Sequence, residues 1–106
     1  MKKLKTRADK GKSEATIEGA VARYATEHGL RNRKYRNPNV VGGLDRIFLP
    51  PGGRPFWIEF KREKGGKISH HQQVEFDWLI ANGYEAYFCN DIEYGKGIVD
   101  YYCALR

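Results

Sequence analysis

The sequence predicts an α/β fold of the α+β kind, a small mixed β-sheet flanked by helices in the order helix, strand, strand, helix, strand, helix. Stretches with apolar residues at helical spacing alternate with short apolar runs bounded by Gly and Pro. A Pro/Gly turn joins the first two of those runs, and a helix separates the second from the third, which should therefore return parallel to it. A chain of 106 residues has room for one core, and so for one site.

The first half of the chain is predicted to hold one helix and a hairpin. Ser13 suits a helix cap and Gly29 a helix stop, and apolar residues recur at helical spacing between them. Residues 31–43 are polar and basic and contain Asn-Pro-Asn and Gly-Gly, which indicates a loop or a short irregular strand. Residues 45–49 and 55–61 are expected to pair around the Pro-Pro-Gly-Gly segment that joins them.

The second half is predicted to add a helix, a strand and a last helix. Ser69 and Gln72 have the spacing of a capping box, which opens a helix that stops at residues 82–83. Three apolar residues of this helix are expected to face the core: Phe76, Leu79 and Ile80. A strand follows at 84–89. The final segment favours a helix capped by Asp91, although Gly95 and Gly97 leave a strand at 98–102 open.

The charge distribution favours a polyanionic partner. The chain has 19 Lys and Arg against 13 Asp and Glu, a net charge of +6. Residues 1–13 are predicted to be a basic flexible tail before a single domain at 14–106, and both a solvated tail and a nucleic-acid arm remain open. Seven candidate DNA-binding residues fall into two clusters on either side of the candidate site: Arg31, Arg33, Lys34 and Arg36, then Arg62, Lys64 and Lys67.

No apolar run approaches the length of about 18 residues that a membrane span needs, and no secretory signal follows the basic N-terminus. We therefore expect a soluble protein of the cytoplasm of a bacterial or phage-infected host cell. Cys89 and Cys103 are expected to be reduced, since their spacing makes a poor zinc site.

The candidate chemistry lies on the predicted hairpin. Residues two apart on a strand point to the same side, so Glu59 and Lys61 share one face while Ile58 and Phe60 share the other. The hairpin turn would bring Asp45 close to Glu59. Two carboxylates beside a lysine suit phosphodiester hydrolysis, because they can hold Mg²⁺ or Mn²⁺ and leave coordination positions for water and a phosphate oxygen.

Further ligands are expected around this pair. The backbone carbonyl of Phe60 lies between the two functional side chains and is a candidate oxygen ligand. Glu18, at the edge of the buried face of the first helix, is the candidate third carboxylate, because a buried acid needs a partner. Gln72 has an ordinary reading as a capping residue, and His70 and His71 are better read as exposed first-turn residues than as ligands.

Each of these features is common by itself, but their order along the chain is not. Glu18, then Gly42 to Arg46, then Trp57 to Lys61, then Ser69 to Gln72, and then Gly83 resemble the VRR-NUC family of virus-type replication-repair nucleases. The resemblance covers residues from about 14 to 100. One departure is Leu44, where the family usually has proline before the aspartate.

The resemblance implies a restriction-endonuclease-like fold of the PD-(D/E)xK superfamily. It also implies that Asp45 and Glu59 bind the metal, that Lys61 is catalytic, and that Glu18 and Gln72 complete the site. Stand-alone phage and bacterial members of this size imply a homodimeric DNA endonuclease acting on branched substrates, notably four-way junctions. Two other readings remain open: a noncatalytic nucleic-acid-binding module and a small accessory protein that binds another protein.

Overall fold

A computed structural model describes residues 11–35 and 43–105 of the chain, and there helices pack on both faces of a four-stranded sheet. The elements in chain order are α1 (Glu14–Glu27), β1 (Arg31–Lys34), β2 (Arg46–Leu49), β3 (Phe56–Phe60), α2 (His70–Ala81), β4 (Glu85–Cys89) and α3 (Ile92–Ala104).

The sheet has the order β1-β2-β3-β4 and is mixed, as the sequence predicts. β2 and β3 form the expected antiparallel hairpin, and Gly53 donates a backbone hydrogen bond to the carbonyl of Pro50 in the turn. β4 returns through α2 to pair parallel with β3. The predicted order did not count a strand at residues 31–43, which were left open between a loop and a short irregular strand. The structure has a short strand there, at Arg31–Lys34, which pairs antiparallel with β2 as an edge strand. The order is therefore helix, three strands, helix, strand, helix.

The central strand β3 is buried along its whole length. Phe56, Ile58 and Phe60 pack into a large core under α1 and α3, whereas Trp57 packs with Leu79 in a smaller core under α2. Alternation along one strand thus serves two cores, and Glu59 points to the same face as Trp57. This alternation brings a carboxylate into the α2 layer.

The helices begin at the predicted caps. Ser13, Ser69 and Asp91 each accept a hydrogen bond from a backbone N–H in the first turn of α1, α2 and α3. In α2, Leu79 is buried and Phe76 is half-buried, but Ile80 is 48% exposed, so the prediction that Ile80 faces the core is wrong. The next residue after Leu79 turns by about 100° around the helix, away from the sheet.

Two further predictions concern the N-terminal tail and membrane-spanning segments. Residues 11–13 of the predicted tail are described, and the backbone of Lys12 exchanges two hydrogen bonds with Glu63, while residues 1–10 lie outside the described part. No helix in the described part is both long and apolar enough to cross a membrane.

One of the two glycines that weakened the helix prediction for the last segment has a packing role in α3. Gly95 is buried in α3, and a Cβ atom there would lie 2.4 Å from a methyl group of Val21 and 3.1 Å from Cys89 Sγ. A Cβ atom built on Gly97, in the same helix, would have no neighbouring atom within 4 Å. Close approach of α3 to α1 therefore requires glycine at 95 but not at 97.

We expect Gly95→Ala to lower the free energy of unfolding by about 1 to 3 kcal/mol, because the added methyl group overpacks the core. Gly97→Ala is the matched control, and it should raise that free energy by about 0.5 to 1 kcal/mol through higher helix propensity. Urea unfolding followed by circular dichroism measures both. Equal effects of the two substitutions would contradict the assigned packing role.

Candidate functional site

Asp45 and Glu59 meet at the end of the β2–β3 hairpin that lies away from its turn. Asp45 directly precedes β2, and its Oδ2 accepts a hydrogen bond of 3.0 Å from the backbone N–H of Phe60. Arg46 pairs with Ile58 in the register of the two strands, so Asp45 is carried to the level of Glu59 and Phe60. Local strand pairing thus converges the two carboxylates that the sequence singled out.

Lys61 and Gln72 complete a connected set around Glu59. Lys61 Nζ lies 3.5 Å from Glu59 Oε2 and donates to Gln72 Oε1 at 2.7 Å. Gln72 Nε2 donates to the same Glu59 oxygen at 2.7 Å. The amide therefore fixes the acid and the lysine together, and α2 holds both in place.

Gln72 also has the capping role that its spacing predicted. Its Oε1 accepts a hydrogen bond from the backbone N–H of Ser69, while Ser69 Oγ accepts one from the backbone N–H of Gln72. The two readings of this residue are compatible, since one amide oxygen serves the helix start and the lysine at once.

The third carboxylate at this place is Glu14, in the first turn of α1. One carboxylate oxygen from each of Glu14, Asp45 and Glu59 lies within 4.8 Å of the other two, and this is the one such group of three among the described residues. Glu14 is exposed, Asp45 is half-buried and Glu59 is only 1% exposed. The acids therefore run from solvent into the protein.

Glu18, the predicted third carboxylate, is not brought into this group. It lies one turn after Glu14 in α1, where its Oε2 is 3.0 Å from Arg46 Nε and 3.1 Å from Lys34 Nζ. Arg46 also donates to the side-chain oxygen of Asn32. Glu18 thus has the partner that a buried acid needs, but the partner is a pair of cations on β1 and β2.

Glu14 was missed by the sequence analysis, although one signal was available. Glu14 and Glu18 are four residues apart and therefore lie on the same face of α1. Glu18 was favoured because it borders the buried residues of α1. No pattern in the sequence indicated that Arg46 and Lys34 would form ion pairs with Glu18.

Burial first, and the nearby charge of Asp45 second, raise the pKa of Glu59 to about 7 from its usual 4.5, while Lys61 acts in the lowering direction. Its Oε1 atom is buried and has no hydrogen-bond partner among the described residues. A buried acid that has an unpartnered oxygen, and that lies in a group of three carboxylates within 4.8 Å of one another, suits a hard divalent cation. Such a cation would offset both the cost of burying the charge and the repulsion between the acids. The residues present therefore fit a Mg²⁺ or Mn²⁺ ion held by Glu14, Asp45 and Glu59.

The described residues of the predicted phosphate-binding clusters lie on β1 and in the loop after β3. Arg31, Arg33 and Lys34 are exposed on β1, although Lys34 also contacts Glu18. Arg62 is exposed after β3 but donates to the backbone carbonyl of Gly65. Lys64 and Lys67 are exposed in the same loop, and Arg36 lies outside the described residues.

The fold and the site together define a class of protein domain. Its members have a small mixed sheet on which carboxylates and one lysine lie together where a hairpin meets the start of a helix. A solved structure described as "VRR_NUC domain" matches this chain with a TM-score of 0.78 and 17% identity, covering 87% of this chain and 99% of that chain. Another, described as "VRR_NUC domain protein", gives a TM-score of 0.77 and 17% identity over 92% and 93%.

No family model matches the sequence, and neither does any curated protein. At this identity the structural likeness shows the fold, and it confirms the fold expected from the resemblance. The chain has the fold of VRR_NUC domains over most of its length.

The raised pKa of Glu59 gives a pH dependence of stability. Between about pH 4.5 and 7 the folded state binds more protons than the unfolded state, so the free energy of unfolding falls as pH rises through this window. EDTA removes any bound metal. In its presence, we expect the free energy of unfolding of the wild-type protein to fall by about 1 to 3 kcal/mol more than that of Glu59→Gln across that pH range. Urea unfolding at a series of pH values tests this, and parallel profiles of the two proteins would contradict it.

The two roles of Gln72 can be separated with Ser69 as the matched control. Ser69→Ala removes a capping bond and should cost about 1 kcal/mol of stability with the affinity for Mn²⁺ unchanged. Gln72→Ala should cost a similar amount of stability and also lower the affinity for Mn²⁺ about 10- to 100-fold, because Glu59 loses its orienting contact. Unfolding curves and Mn²⁺ calorimetry of the two variants are compared. Equal Mn²⁺ affinity in both would show that Gln72 is only a cap.

Proposed function

We propose that this protein is a divalent-metal-dependent nuclease that hydrolyses DNA phosphodiester bonds. The observation that carries the proposal is the convergence of Glu14, Asp45 and Glu59 within 4.8 Å, with Lys61 Nζ 3.5 Å from Glu59. The fold shared with two structures described as VRR_NUC domains supports it.

The protein's own residues have distinct tasks in this reaction. A bound Mg²⁺ or Mn²⁺ would supply a Lewis acid and lower the pKa of an attacking water. The Phe60 amide orients Asp45, and Gln72 orients Glu59, so both carboxylates are positioned before substrate arrives. The backbone carbonyl of Phe60 remains a candidate fourth ligand.

Lys61 is suited to act on the phosphate. Its ammonium group is held by Gln72 at 2.7 Å and by Glu59 at 3.5 Å, and its side chain is mostly buried. A fixed cation beside the carboxylates can orient the attacking water or stabilise the charge that develops on the phosphate oxygens. Flanking phosphates would be neutralised by the exposed cations on β1 and in the loop after β3, which are Arg31, Arg33, Lys34, Arg62, Lys64 and Lys67.

The acids also separate a nuclease from a noncatalytic binder. A protein that only binds DNA gains nothing from three carboxylates near a phosphate path, since without a metal they repel the backbone.

We further propose a branched DNA substrate, such as a four-way junction, and a homodimer. A two-fold dimer would present two active sites to a roughly two-fold substrate.

The test is cleavage of labelled four-way junction, flap, single-stranded and linear duplex DNA with Mg²⁺, Mn²⁺ or EDTA. We expect divalent-dependent cutting, greatest on branched DNA, that Asp45→Asn and Glu59→Gln abolish without unfolding the protein. Lys61→Ala should lower turnover about 100- to 1000-fold and still bind Mn²⁺ in calorimetry. Binding without cutting under every ion would favour the noncatalytic module.

Glu14→Gln and Glu18→Gln form a matched pair within this experiment. Loss of Mn²⁺ affinity in Glu14→Gln alone would assign Glu14 as the third carboxylate. Loss in Glu18→Gln alone, with the fold intact, would instead support the assignment from the sequence. Sedimentation of the wild-type protein measures the proposed dimer.

A further inference from the structure

Tyr35 lies beside the candidate site but takes no part in the chemistry described above. It follows β1 directly, and its backbone N–H donates to the carbonyl of Asp45 at 2.8 Å. The residues before it pair with β2, Lys34 opposite Arg46. The backbone of Tyr35 is thus fixed next to a proposed metal ligand.

The Tyr35 ring is exposed but supported by the core. It is 42% exposed, and its centroid lies 5.9 Å from that of Trp57 at an interplanar angle of 79°. Trp57 is 7% exposed and lies two residues before Glu59 on the same face of β3. A buried tryptophan therefore holds an exposed aromatic ring on the side of the sheet that carries Glu59.

Cationic side chains lead to this ring. Arg31 and Arg33 are exposed on β1, and strand alternation places them on the same face as Tyr35, while Lys61 contacts Glu59. An aromatic ring between phosphate-neutralising cations and a phosphate-cleaving site has the arrangement of a base-stacking platform.

A second group of exposed aromatics, Trp78 and Tyr84, does not share this setting. Their rings stack at 6.4 Å, and Tyr84 contacts the Trp57 ring edge to face. Residues 69–82, which include α2, carry two acids and no Lys or Arg in a chain whose net charge is +6. The charges favour a polynucleotide at Tyr35 rather than along α2.

We propose that Tyr35 stacks on an unpaired nucleobase next to the scissile phosphate. This inference rests on the proposed nuclease function and narrows its substrate class to phosphodiesters that adjoin an unstacked base, as occur at branch points, flaps and gaps. A base within a continuous duplex is already stacked on its neighbours and cannot offer its face to the ring.

The test compares Tyr35→Ala, Tyr35→Phe and Tyr35→Trp with Tyr101→Ala. Tyr101 is a suitable control because it is 54% exposed and lies in the second half of α3, in the helix layer on the other side of the sheet from Trp57. With Mg²⁺ and DNA carrying an unpaired base at the cut site, we expect Tyr35→Ala to lower kcat/KM about 5- to 100-fold. The Phe and Trp variants should stay near the wild-type value, as should Tyr101→Ala.

A binding readout accompanies the rates. DNA with 2-aminopurine as the unpaired base is titrated with Glu59→Gln, with and without Tyr35→Ala. Stacking should quench the fluorescence only where Tyr35 is present.

The outcomes distinguish the two proposals. Absence of both cutting and binding by the wild-type protein would overturn the nuclease proposal and this one together. Normal cutting by the wild-type protein with equal rates and equal quenching in Tyr35→Ala would overturn only the stacking role. Loss of a dimer in Tyr35→Ala at unchanged rates would assign the ring to a protein contact and overturn the stacking role as well.

Discussion

Burial of the Glu59 carboxylate in the middle of the sheet is the constraint on which the rest of the site depends. β3 is covered by helices on both faces, and an acid there is costly unless it is bonded or paired. Gln72 and Lys61 supply part of that compensation, which ties the first turn of α2 to β3. One oxygen of Glu59 remains unpartnered, and Glu14 and Asp45 lie close to this carboxylate, where a cation would complete the compensation. The same burial therefore organises the α2 layer and leaves a carboxylate whose surroundings fit a divalent cation.

Features set by local rules could be predicted from the sequence. Alternation along one strand placed Glu59 and Lys61 together, the Pro/Gly turn brought Asp45 to them, and helix caps fixed where each helix starts. β1 lacked such a signal, because it is four polar residues long and is a strand only through its pairing with β2. Pairing between distant segments is set by the tertiary structure, which short-range periodicity does not describe.

The candidate third acid shows the same difference between what local sequence rules predict and what the tertiary structure decides. Reasoning from burial correctly singled out Glu18 as an acid that needs a partner, since it is only 7% exposed. Its partners, however, come from strands that lie 16 and 28 residues further along the chain. Spacing within α1 cannot tell whether an acid on this face will meet cations or other acids. Glu14 and Glu18 differ only by one helical turn, and that turn decides their surroundings.

The ion pair of Glu18 also contributes to the geometry of the site. Asp45 and Arg46 are consecutive and point to opposite faces of the sheet, so one segment offers a carboxylate to the site and a guanidinium to α1. Arg46 holds Glu18 at 3.0 Å, and Glu14 lies about 6 Å further along the helix axis, at the end near Asp45 and Glu59. The two hydrogen bonds between Lys12 and Glu63 hold the start of α1 against the loop after β3. An exposed glutamate is thereby placed beside two less accessible carboxylates through contacts that it does not itself make.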